Sequence, residues 1–187
     1  MNSLIMFSGG IDSALSAYKK LTQTDNAVQL HHIRMINKEN RHTAEDIAVR
    51  NLFDAFQRIR PCILTKSTWD ACKESRFIPA DMHIVAFTAA QICVSNKSIQ
   101  HAVVGTNLSD VLRGQDVVQR GAIAEQIFDL AKLDSKAVWT RNIFELNDEQ
   151  IKVELPEELY NLTHSCRTPR KDHSPCHRCK TCKQKNL

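Results

Sequence analysis

With 187 residues, of which 42% are hydrophobic and 25% charged, the chain has the composition of one globular domain. Its net charge of +4 is mild, and no repeat or low-complexity stretch is visible, which excludes a fibrous or disordered protein. No apolar run approaches the length that spans a bilayer and no signal-peptide pattern is present, so we expect a soluble cytoplasmic protein without a membrane partner.

The first predicted element is a buried strand over Leu4–Phe7, and helical spacing of the apolar residues after Gly10 predicts a helix behind it. Between them lies the loop Ser8–Ser13, with the sequence Ser-Gly-Gly-Ile-Asp-Ser. Two glycines let a backbone turn sharply, and the amides of a helix N-terminus favour phosphate oxygens. The segment therefore predicts an anion-binding site, with a plain glycine turn as the alternative.

This loop resembles the pyrophosphate loop, S-G-G-x-D-S, of the N-type ATP pyrophosphatases. Those enzymes cleave ATP to AMP and pyrophosphate while they activate a substrate oxygen as its adenylate. The resemblance implies ATP and Mg²⁺ as cofactors, Asp12 and Ser13 as catalytic residues, and a nucleotide site formed by Ser8, Gly9, Gly10, Ile11, Asp12 and Ser13.

Further strands are predicted over 27–35, 62–64, 101–105 and 137–139. They alternate with three helices, and Thr43 is predicted to cap the first of these, with Asp46 at the capping-box position. That helix ends before Pro61. Residues 82–94 are apolar nearly all round and predict a buried helix, and residues 117–133 predict the last one. Residues 65–80 are irregular, with Trp69 and Phe77 expected near the rim of a pocket.

Alternating strands and helices are typical of an α/β fold in which a parallel twisted sheet carries helices on both faces. We assign residues 1–160 to a PP-loop ATP pyrophosphatase domain and residues 161–187 to a small metal-binding tail packed on it. Ligands of such sheets bind at the carboxyl ends of the strands. We therefore expect the site to be lined by the loops after Phe7, Met35, Leu64 and Gly105.

The tail contains four closely spaced cysteines, Cys166, Cys176, Cys179 and Cys182. Overlapping C-x-x-C steps suit four-coordinate metal binding, and four sulfurs make a closed, structural site that leaves His173 and His177 no vacancy. Zn²⁺ is preferred over an iron–sulfur cluster, which also uses such steps. Cys62 and Cys93 are expected to be buried apolar thiols, whereas the sequence gives no preference for Cys72.

The same tail is basic, with seven Lys and Arg residues against the single acid Asp172 from Cys166 onwards. A basic segment can bind nucleic acid, but it can also offset the negative charge of four thiolates around one zinc ion. The second interpretation needs no further partner and is preferred, so nucleic acid stays an alternative partner.

The loop and the C-x9-C-x2-C-x2-C tail together resemble 7-cyano-7-deazaguanine synthase. Weaker likenesses lie between them: Arg41-His42-x-x-Glu45 resembles its R-H-x-x-E, and Phe77-Ile78-Pro79 resembles the lead into its central helix. Gly105 with the later Asp110 and Asp116 resembles the substrate loop of that family. The resemblance implies a homodimer, a deazaguanine acid and ammonia as substrates, and substrate binding by Asp110, Arg113 and Asp116.

This chain departs from that family in its substrate loop. The family has tyrosines between the two aspartates, where this chain has Val111–Gln115, so aromatic stacking surface for a flat base is missing. Asp81 and Met82 stand where the family has arginine and asparagine, and Thr140-Arg141 replaces a threonine-lysine pair. ATP chemistry is therefore better supported than the identity of the acceptor.

The activity that the resemblance implies is the ATP-dependent conversion of 7-carboxy-7-deazaguanine and ammonia to the nitrile. Carboxylate oxygen attacks the α-phosphorus, ammonia displaces AMP to give an amide, and a second ATP activates that amide. Two alternatives remain open. One is a tRNA-thiolating enzyme with the same loop, whose cysteines carry sulfur or a cluster, and the other is a nucleotide-binding zinc protein that has lost catalysis and acts in a complex.

Overall fold

The computed structural model describes residues 2–37, 39–70, 81–112 and 114–184. Its strands and helices are β1 (Asn2–Met6), α1 (Ile11–Gln23), β2 (Val28–Ile36), α2 (His42–Ile59), β3 (Ile63–Asp70), α3 (Asp81–Ser95), β4 (Ile99–Val103), α4 (Leu108–Leu112), α5 (Gln115–Ala131), β5 (Val138–Thr140), α6 (Asp148–Glu154), α7 (Glu157–Tyr160) and α8 (Lys180–Gln184). The strands form one parallel sheet in the order β3-β2-β1-β4-β5. The predicted α/β fold is confirmed.

Strand β1 lies at the centre of the sheet, where the chain reverses its direction of travel. On one side β1 pairs with β2, where Ile5 lies opposite Leu30. On the other side it pairs with β4, where Ile5 lies opposite Val103. Such a reversal leaves a crevice beyond the carboxyl ends of the two strands on either side of it. The loops after β1 and β4 therefore face the same crevice.

Two hydrophobic cores cover the sheet, one on each face, because successive side chains of a strand point to opposite sides. Ile5 and Phe7 pack with α1, α2, α6 and α7, and the ring centroids of Phe7 and Phe56 lie 5.9 Å apart. Leu4 and Met6 pack on the opposite face with α3 and α5. The predicted helices on both faces are thus present.

Helix α2 begins two residues earlier than its sequence pattern predicts. It starts at His42, its N-cap residue is Arg41, and no side chain caps it. The predicted cap at Thr43 is therefore wrong. Asp46, expected in a capping box, instead contacts Nε2 of His32 at 3.0 Å and Nε of Arg34 at 3.2 Å, so β2 attracts this carboxylate.

Strand β3 is longer than predicted, because residues 65–70 continue it alongside β2 rather than forming an irregular segment. Trp69 lies on this edge strand and is 39% exposed. The prediction for Phe77, like those for Cys72 and Pro79, concerns residues outside the described ranges. An edge strand exposed on one side lacks the apolar alternation that marks a central strand, which explains the shortened prediction.

Helix α3 is less buried than its composition predicts. Its small residues Ala86, Ala89 and Ala90 lie on the sheet and are fully buried, whereas Phe87 is 55% exposed. The predicted polar loop through Asp110 also contains a helix, α4. In the described ranges, no helix is both long enough and apolar enough to cross a membrane. The division into two domains and the homodimer stay predictions.

Candidate functional site

The loop Ser8–Ser13 is held in shape by its two serine side chains. Oγ of Ser13 donates to the carbonyl oxygen of Gly10 at 3.0 Å, and Oγ of Ser8 lies 3.1 Å from Oγ of Ser13. The amide of Gly10 donates to Oγ of Ser8 at 3.3 Å. Gly9 has a φ of 76°, a left-handed conformation that favours glycine. Both serines therefore stabilise the turn that leads into α1.

The N-terminus of α1 meets the end of β4 at unusually close range. A Cβ atom on Gly105 would lie 2.7 Å from the backbone nitrogen of Ser13 and 2.8 Å from the carbonyl carbon of Asp12. Only glycine permits this approach. The first amides of a helix lack intrahelical partners and carry partial positive charge, so this junction offers donors to a phosphate group.

A buried amide fixes the carboxylate of Asp12. Nδ2 of Asn107 donates to Oδ1 of Asp12 at 2.8 Å and to Oδ1 of Asp148 at 3.2 Å. Its Oδ1 accepts from the backbone amide of Asp110 at 2.9 Å, and Asn107 itself is 1% exposed. Asn107 thus positions a predicted catalytic residue relative to the segment that follows β4.

A cavity of about 320 Å³ opens at the carboxyl ends of β1, β2 and β4, a size within the range of small-molecule sites. Among the predicted site residues, Ser8, Gly10, Asp12, Ser13 and Asp110 line it. Phe7, Met35 and Gly105 line it as expected. Leu64 is not among the described lining residues, because β3 continues beyond it. Three of the four expected loops therefore form the site.

The residues predicted to bind the acceptor are not all brought together. Asp110 lines the cavity, but the side chain of Asp116 is 75% exposed near the start of α5 and pairs with Nη2 of Arg120 at 2.7 Å. Arg113 lies outside the described ranges. The structure therefore places one of the three in the cavity, and the roles of the other two stay predictions.

Four charged residues from separate parts of the chain form what we call the ionic wall of the cavity: Arg41, Glu45, Asp81 and Arg167. Nη2 of Arg41 lies 3.0 Å from Oδ2 of Asp81, and its Nε lies 3.3 Å from Oε1 of Glu45. Nη1 of Arg167 approaches the same Oδ2 of Asp81 at 3.6 Å. The carboxylate of Glu39 adds a third partner to Arg41 at 3.4 Å.

The charges of the ionic wall are set by burial and by one another. Burial opposes the charge of Arg41, but Glu45, Asp81 and Glu39 together raise its pKa. Burial also opposes the charge of Asp81, and the guanidinium groups of Arg41 and Arg167 outweigh it and lower the pKa of that carboxyl. For Glu45 burial dominates and raises the pKa. Asp81 is therefore the firmly ionised carboxylate of the wall.

His31 lines the cavity from β2 and is a neutral polar group there. Burial, followed by the neighbouring His32, lowers its pKa to about 4. Nδ1 of His31 lies 2.8 Å from Oγ1 of Thr65 and Nε2 lies 2.9 Å from Oγ of Ser67. The imidazole is thus fixed between β2 and β3.

The C-terminal tail forms part of the same cavity. The backbone amide of His164 donates to the carbonyl oxygen of Gly9 at 2.9 Å. A Cβ on Gly10 would lie 3.6 Å from the carbonyl oxygen of His164, so the two segments are in contact. Cys166 and Arg167 also line the cavity. The tail is therefore a wall of the site.

The four tail cysteines form one compact cluster that could hold a metal ion. All four Sγ atoms, of Cys166, Cys176, Cys179 and Cys182, lie within 4.8 Å of one another. Two of these distances are 4.0 Å and 3.9 Å. Zn–S bonds of about 2.3 Å place the sulfurs of a tetrahedral site about 3.8 Å apart. The cluster therefore has the dimensions of a site for a single ion.

Hydrogen bonds prepare the sulfurs for metal binding. The amide of Cys179 donates to Sγ of Cys176 at 3.2 Å, and the amide of Cys182 donates to Sγ of Cys179 at 3.4 Å. The hydroxyl of Thr168 lies 3.3 Å from Sγ of Cys176 and is the main cause that lowers the pKa of this thiol to about 5. Metals bind the thiolate form of cysteine, so the hydrogen bonds to Cys176 favour binding at this sulfur, whereas burial raises the pKa of the Cys182 thiol to about 12 and opposes binding there.

The two cysteines expected to be structural are buried, as predicted. Cys93 is 0% exposed and Cys62 is 9% exposed. Burial raises the pKa of each thiol to about 11. Both sulfurs are therefore protonated at neutral pH and poor nucleophiles.

No family model matches the chain. No curated protein matches it either. Among solved structures, it is similar to the U34-tRNA thiolase NcsA from Methanococcus maripaludis, solved with its [4Fe-4S] cluster, at a TM-score of 0.62 and 14% identity. The chain shares the fold of this thiolase. The likeness covers 97% of this chain but only 61% of the thiolase, so the chain spans about three-fifths of its length.

The likeness supports the fold expected of an N-type ATP pyrophosphatase and gives no support to the narrower resemblance to 7-cyano-7-deazaguanine synthases. The sequence alone singles out the loop, Asp110 and the cysteines. It does not reveal Asn107, His31 and Arg167, whose roles depend on contacts between distant segments. The local sequence signal for Asn107 is an asparagine two residues after Gly105, in the segment that follows β4.

Proposed function

We propose that the protein is an ATP-dependent enzyme that activates an acceptor oxygen as its adenylate, with release of pyrophosphate. The observation that carries the proposal is the junction of the loop Ser8–Ser13, the N-terminus of α1 and Gly105 at one end of the cavity. Backbone amides at such a junction suit the pyrophosphate leaving group. The shared fold with the tRNA thiolase supports the same chemistry.

Two carboxylates in the cavity fit a magnesium ion that accompanies ATP. Asp12 and Asp110 both line the cavity, and Asn107 joins the first to the backbone of the second. Mg²⁺ prefers carboxylate and phosphate oxygens, and it neutralises charge on a transferring phosphoryl group. In this proposal Asp12 orients the nucleotide with its ion, while Ser13 shapes the loop that holds the leaving group.

The acceptor that the structural comparison favours is a uridine of tRNA. The protein of similar fold is a U34-tRNA thiolase, and the tail beside the cavity exposes the cations Arg167, Arg170, Lys171, Arg178 and Lys183. These five cations and the carboxylate of Asp172 sum to a charge of +4. This charge is larger in magnitude than the −2 of a zinc ion with four thiolates, so it is not fully offset. The surplus favours a polyanion near the mouth of the cavity.

A deazaguanine acid that reacts with ammonia is the second candidate acceptor. The observation that favours it is the cysteine spacing of the tail together with Arg41-His42-x-x-Glu45, whose first and last residues lie in the ionic wall. The missing aromatic residues of the substrate loop weaken it. We therefore rank it behind the RNA base, while the ATP-dependent step is common to both.

The metal that best fits the tail is Zn²⁺ in a structural site. One ion draws four sulfurs to about 3.8 Å from one another, close to the observed spacing. In an iron–sulfur cubane each thiolate binds a different iron, which separates the sulfurs further. A closed four-sulfur site has no open coordination position, so the cysteines would stabilise the tail rather than carry sulfur.

The experiment that tests the proposal measures AMP release from ATP and Mg²⁺ with each acceptor. Purified protein is incubated with U34-containing tRNA and sulfide, or with 7-carboxy-7-deazaguanine and ammonium, and products are identified by mass spectrometry. We expect acceptor-dependent AMP and pyrophosphate, both lost in Asp12→Ala. Equal AMP release by the native protein and that variant would overturn the proposal. Zinc content by elemental analysis, with no iron or sulfide, tests the metal.

A further inference from the structure

We propose that the ionic wall makes the cavity select an acceptor without a negative charge, and that Asp81 is the residue that determines this specificity. The acceptor class is then a neutral carbonyl or amide oxygen, as on a nucleobase, rather than a carboxylate. This inference rests on the proposed function and deepens it, because it concerns which oxygen is adenylated.

Among the described residues, the charged groups that line the cavity disfavour binding of a substrate carboxylate. Within the described ranges, two lysine or arginine side chains line the cavity, those of Arg41 and Arg167. In the ionic wall these two cations face the carboxyl groups of Glu45 and Asp81, and Glu39 contacts Arg41 as well. An incoming carboxylate would meet cations that carboxylates already pair, and like charges in a partly buried site repel strongly.

Both guanidinium groups are already in contact with a carboxylate, and that carboxylate is Asp81. A single atom, Oδ2 of Asp81, lies 3.0 Å from Nη2 of Arg41 and 3.6 Å from Nη1 of Arg167. Asp81 thus occupies the position between two arginines that the carboxylate of a substrate would need. Arg41 is satisfied further by Glu45 and Glu39 at 3.3 Å and 3.4 Å.

The wall does suit the edge of a nucleobase. The side chain of Asp81 remains 42% exposed, and it lines the cavity together with Glu45. Carboxyl oxygens accept hydrogen bonds, and the lactam and amino N–H groups of a base donate them. A neutral acceptor with such an edge gains hydrogen bonds here without adding charge.

The step itself is balanced for a neutral acceptor. Its carbonyl oxygen forms a bond to the α-phosphorus of ATP, and the bond from that phosphorus to the bridging oxygen breaks. Pyrophosphate leaves with the electron pair. A proton leaves the nitrogen next to the carbonyl carbon for solvent, which gives an O-adenylated imidate whose single charge lies on the phosphate group. A nitrogen or sulfur nucleophile then adds at the carbon, and AMP departs.

A matched pair of small molecules separates charge from shape. 7-Carboxy-7-deazaguanine and the corresponding 7-carboxamide share one ring and differ in whether the side group is charged. AMP release is measured with each of them and with U34-containing tRNA, using the full chain with ATP and Mg²⁺. We expect the amide, the tRNA or both to stimulate AMP release at least about tenfold more than the acid.

The variant Asp81→Asn removes the carboxylate charge but keeps the shape, and Arg41 retains Glu39 and Glu45 as partners. We expect it to raise the ratio of AMP release with the acid to AMP release with the neutral acceptors about fivefold or more, because the variant removes the repulsion of the acid and weakens the hydrogen bonds to neutral bases. Asp134→Asn is the matched control, because Asp134 pairs with Lys97 on the exposed surface. Circular dichroism establishes that both variants fold.

Three outcomes decide the matter. A native protein that uses the acid as fast as the best neutral acceptor would overturn this inference while leaving the adenylating function in place. An Asp81→Asn protein that is folded but still rejects the acid would also overturn the role of Asp81. Absence of acceptor-dependent AMP release with all three compounds would overturn the proposed function, and the inference with it.

Discussion

The backbone amide of His164 donates a 2.9 Å hydrogen bond to the carbonyl oxygen of Gly9, so the C-terminal tail is joined directly to the loop Ser8–Ser13. Cys166, a member of the cysteine cluster, follows two residues later and lines the same cavity. Whatever fixes the cysteine cluster therefore also fixes one side of the loop. The cysteine cluster and the loop Ser8–Ser13 are structurally coupled.

Removal of the metal is expected to weaken ATP binding as well as stability. Without an ion the four sulfurs of the tail lose the metal bonds that would hold them together, and the contact between His164 and Gly9 loses that support. We expect a chelator to raise the dissociation constant of ATP about tenfold, or about 1.4 kcal/mol, and to lower Tm by several degrees. Calorimetry before and after zinc is restored measures both. Unchanged ATP affinity in the chelated protein would contradict the coupling.

Gly105→Ala is expected to disrupt the junction of α1 and β4. The added Cβ would lie 2.7 Å from the backbone nitrogen of Ser13, and backbone cannot move aside cheaply. Overpacking of this kind costs about 1–3 kcal/mol, and the phosphate site should be lost with it. Chemical denaturation and ATP titration measure the two effects.

Gly121→Ala is the matched control, because a Cβ there would meet only Nη2 of Arg141 at an ordinary 3.6 Å. Gly121 lies inside α5, where alanine stabilises a helix by about 0.5–1 kcal/mol relative to glycine. We expect this variant to bind ATP normally. If both variants behaved alike, the close approach at Gly105 would not be the cause.

Asp12→Ala is expected to reduce AMP formation by at least about a hundredfold, because the variant removes the carboxylate that Asn107 holds in the cavity. Ser13→Ala should act similarly through the shape of the loop. Asp148→Ala serves as the control: it removes the other carboxylate partner of Asn107, at 3.2 Å, and Asp148 is not among the described lining residues. Rapid-quench measurements of AMP give the rates. Comparable losses in all three would point to folding instead.

Stability is expected to fall as the pH drops from about 6.5 towards 4, with His31 as one cause. Its pKa is about 4 in the folded protein against an ordinary histidine value of 6.5, so the unfolded chain binds the proton first as the pH decreases. The contribution is fully present above pH 6.5 and is lost through that window. We expect His31→Gln to flatten this part of the curve, measured by urea unfolding at several pH values. An unchanged slope would show that His31 does not contribute.

The strand-loop-helix unit and the cysteine cluster could be predicted because each is written in a short stretch of sequence. Ser8–Ser13 and the cysteine spacing carry their geometry locally, so the structure reproduces them. Ends of elements were less predictable. The predicted capping box at the start of α2 is absent, because Asp46 contacts His32 and Arg34 of β2 instead.

The ionic wall could not be predicted, because its members come from three distant segments: the start of α2 with Arg41 and Glu45, the start of α3 with Asp81, and the tail with Arg167. The sequence shows Asp81 only as a replacement in a family pattern and Arg167 only as one of seven cations in the tail. Their pairing depends on how the tail returns to the carboxyl ends of the strands. Asp116 illustrates the converse, since a position in a motif does not ensure a position in the cavity.

The bond between Gly9 and His164 also orders events during synthesis. At about 5–20 residues per second, a ribosome makes the loop many seconds before the amide that closes it. A nascent chain that has folded its sheet therefore still lacks one side of the cavity beside this loop. The cavity is completed only after the tail has been synthesised and has returned to the carboxyl ends of the strands.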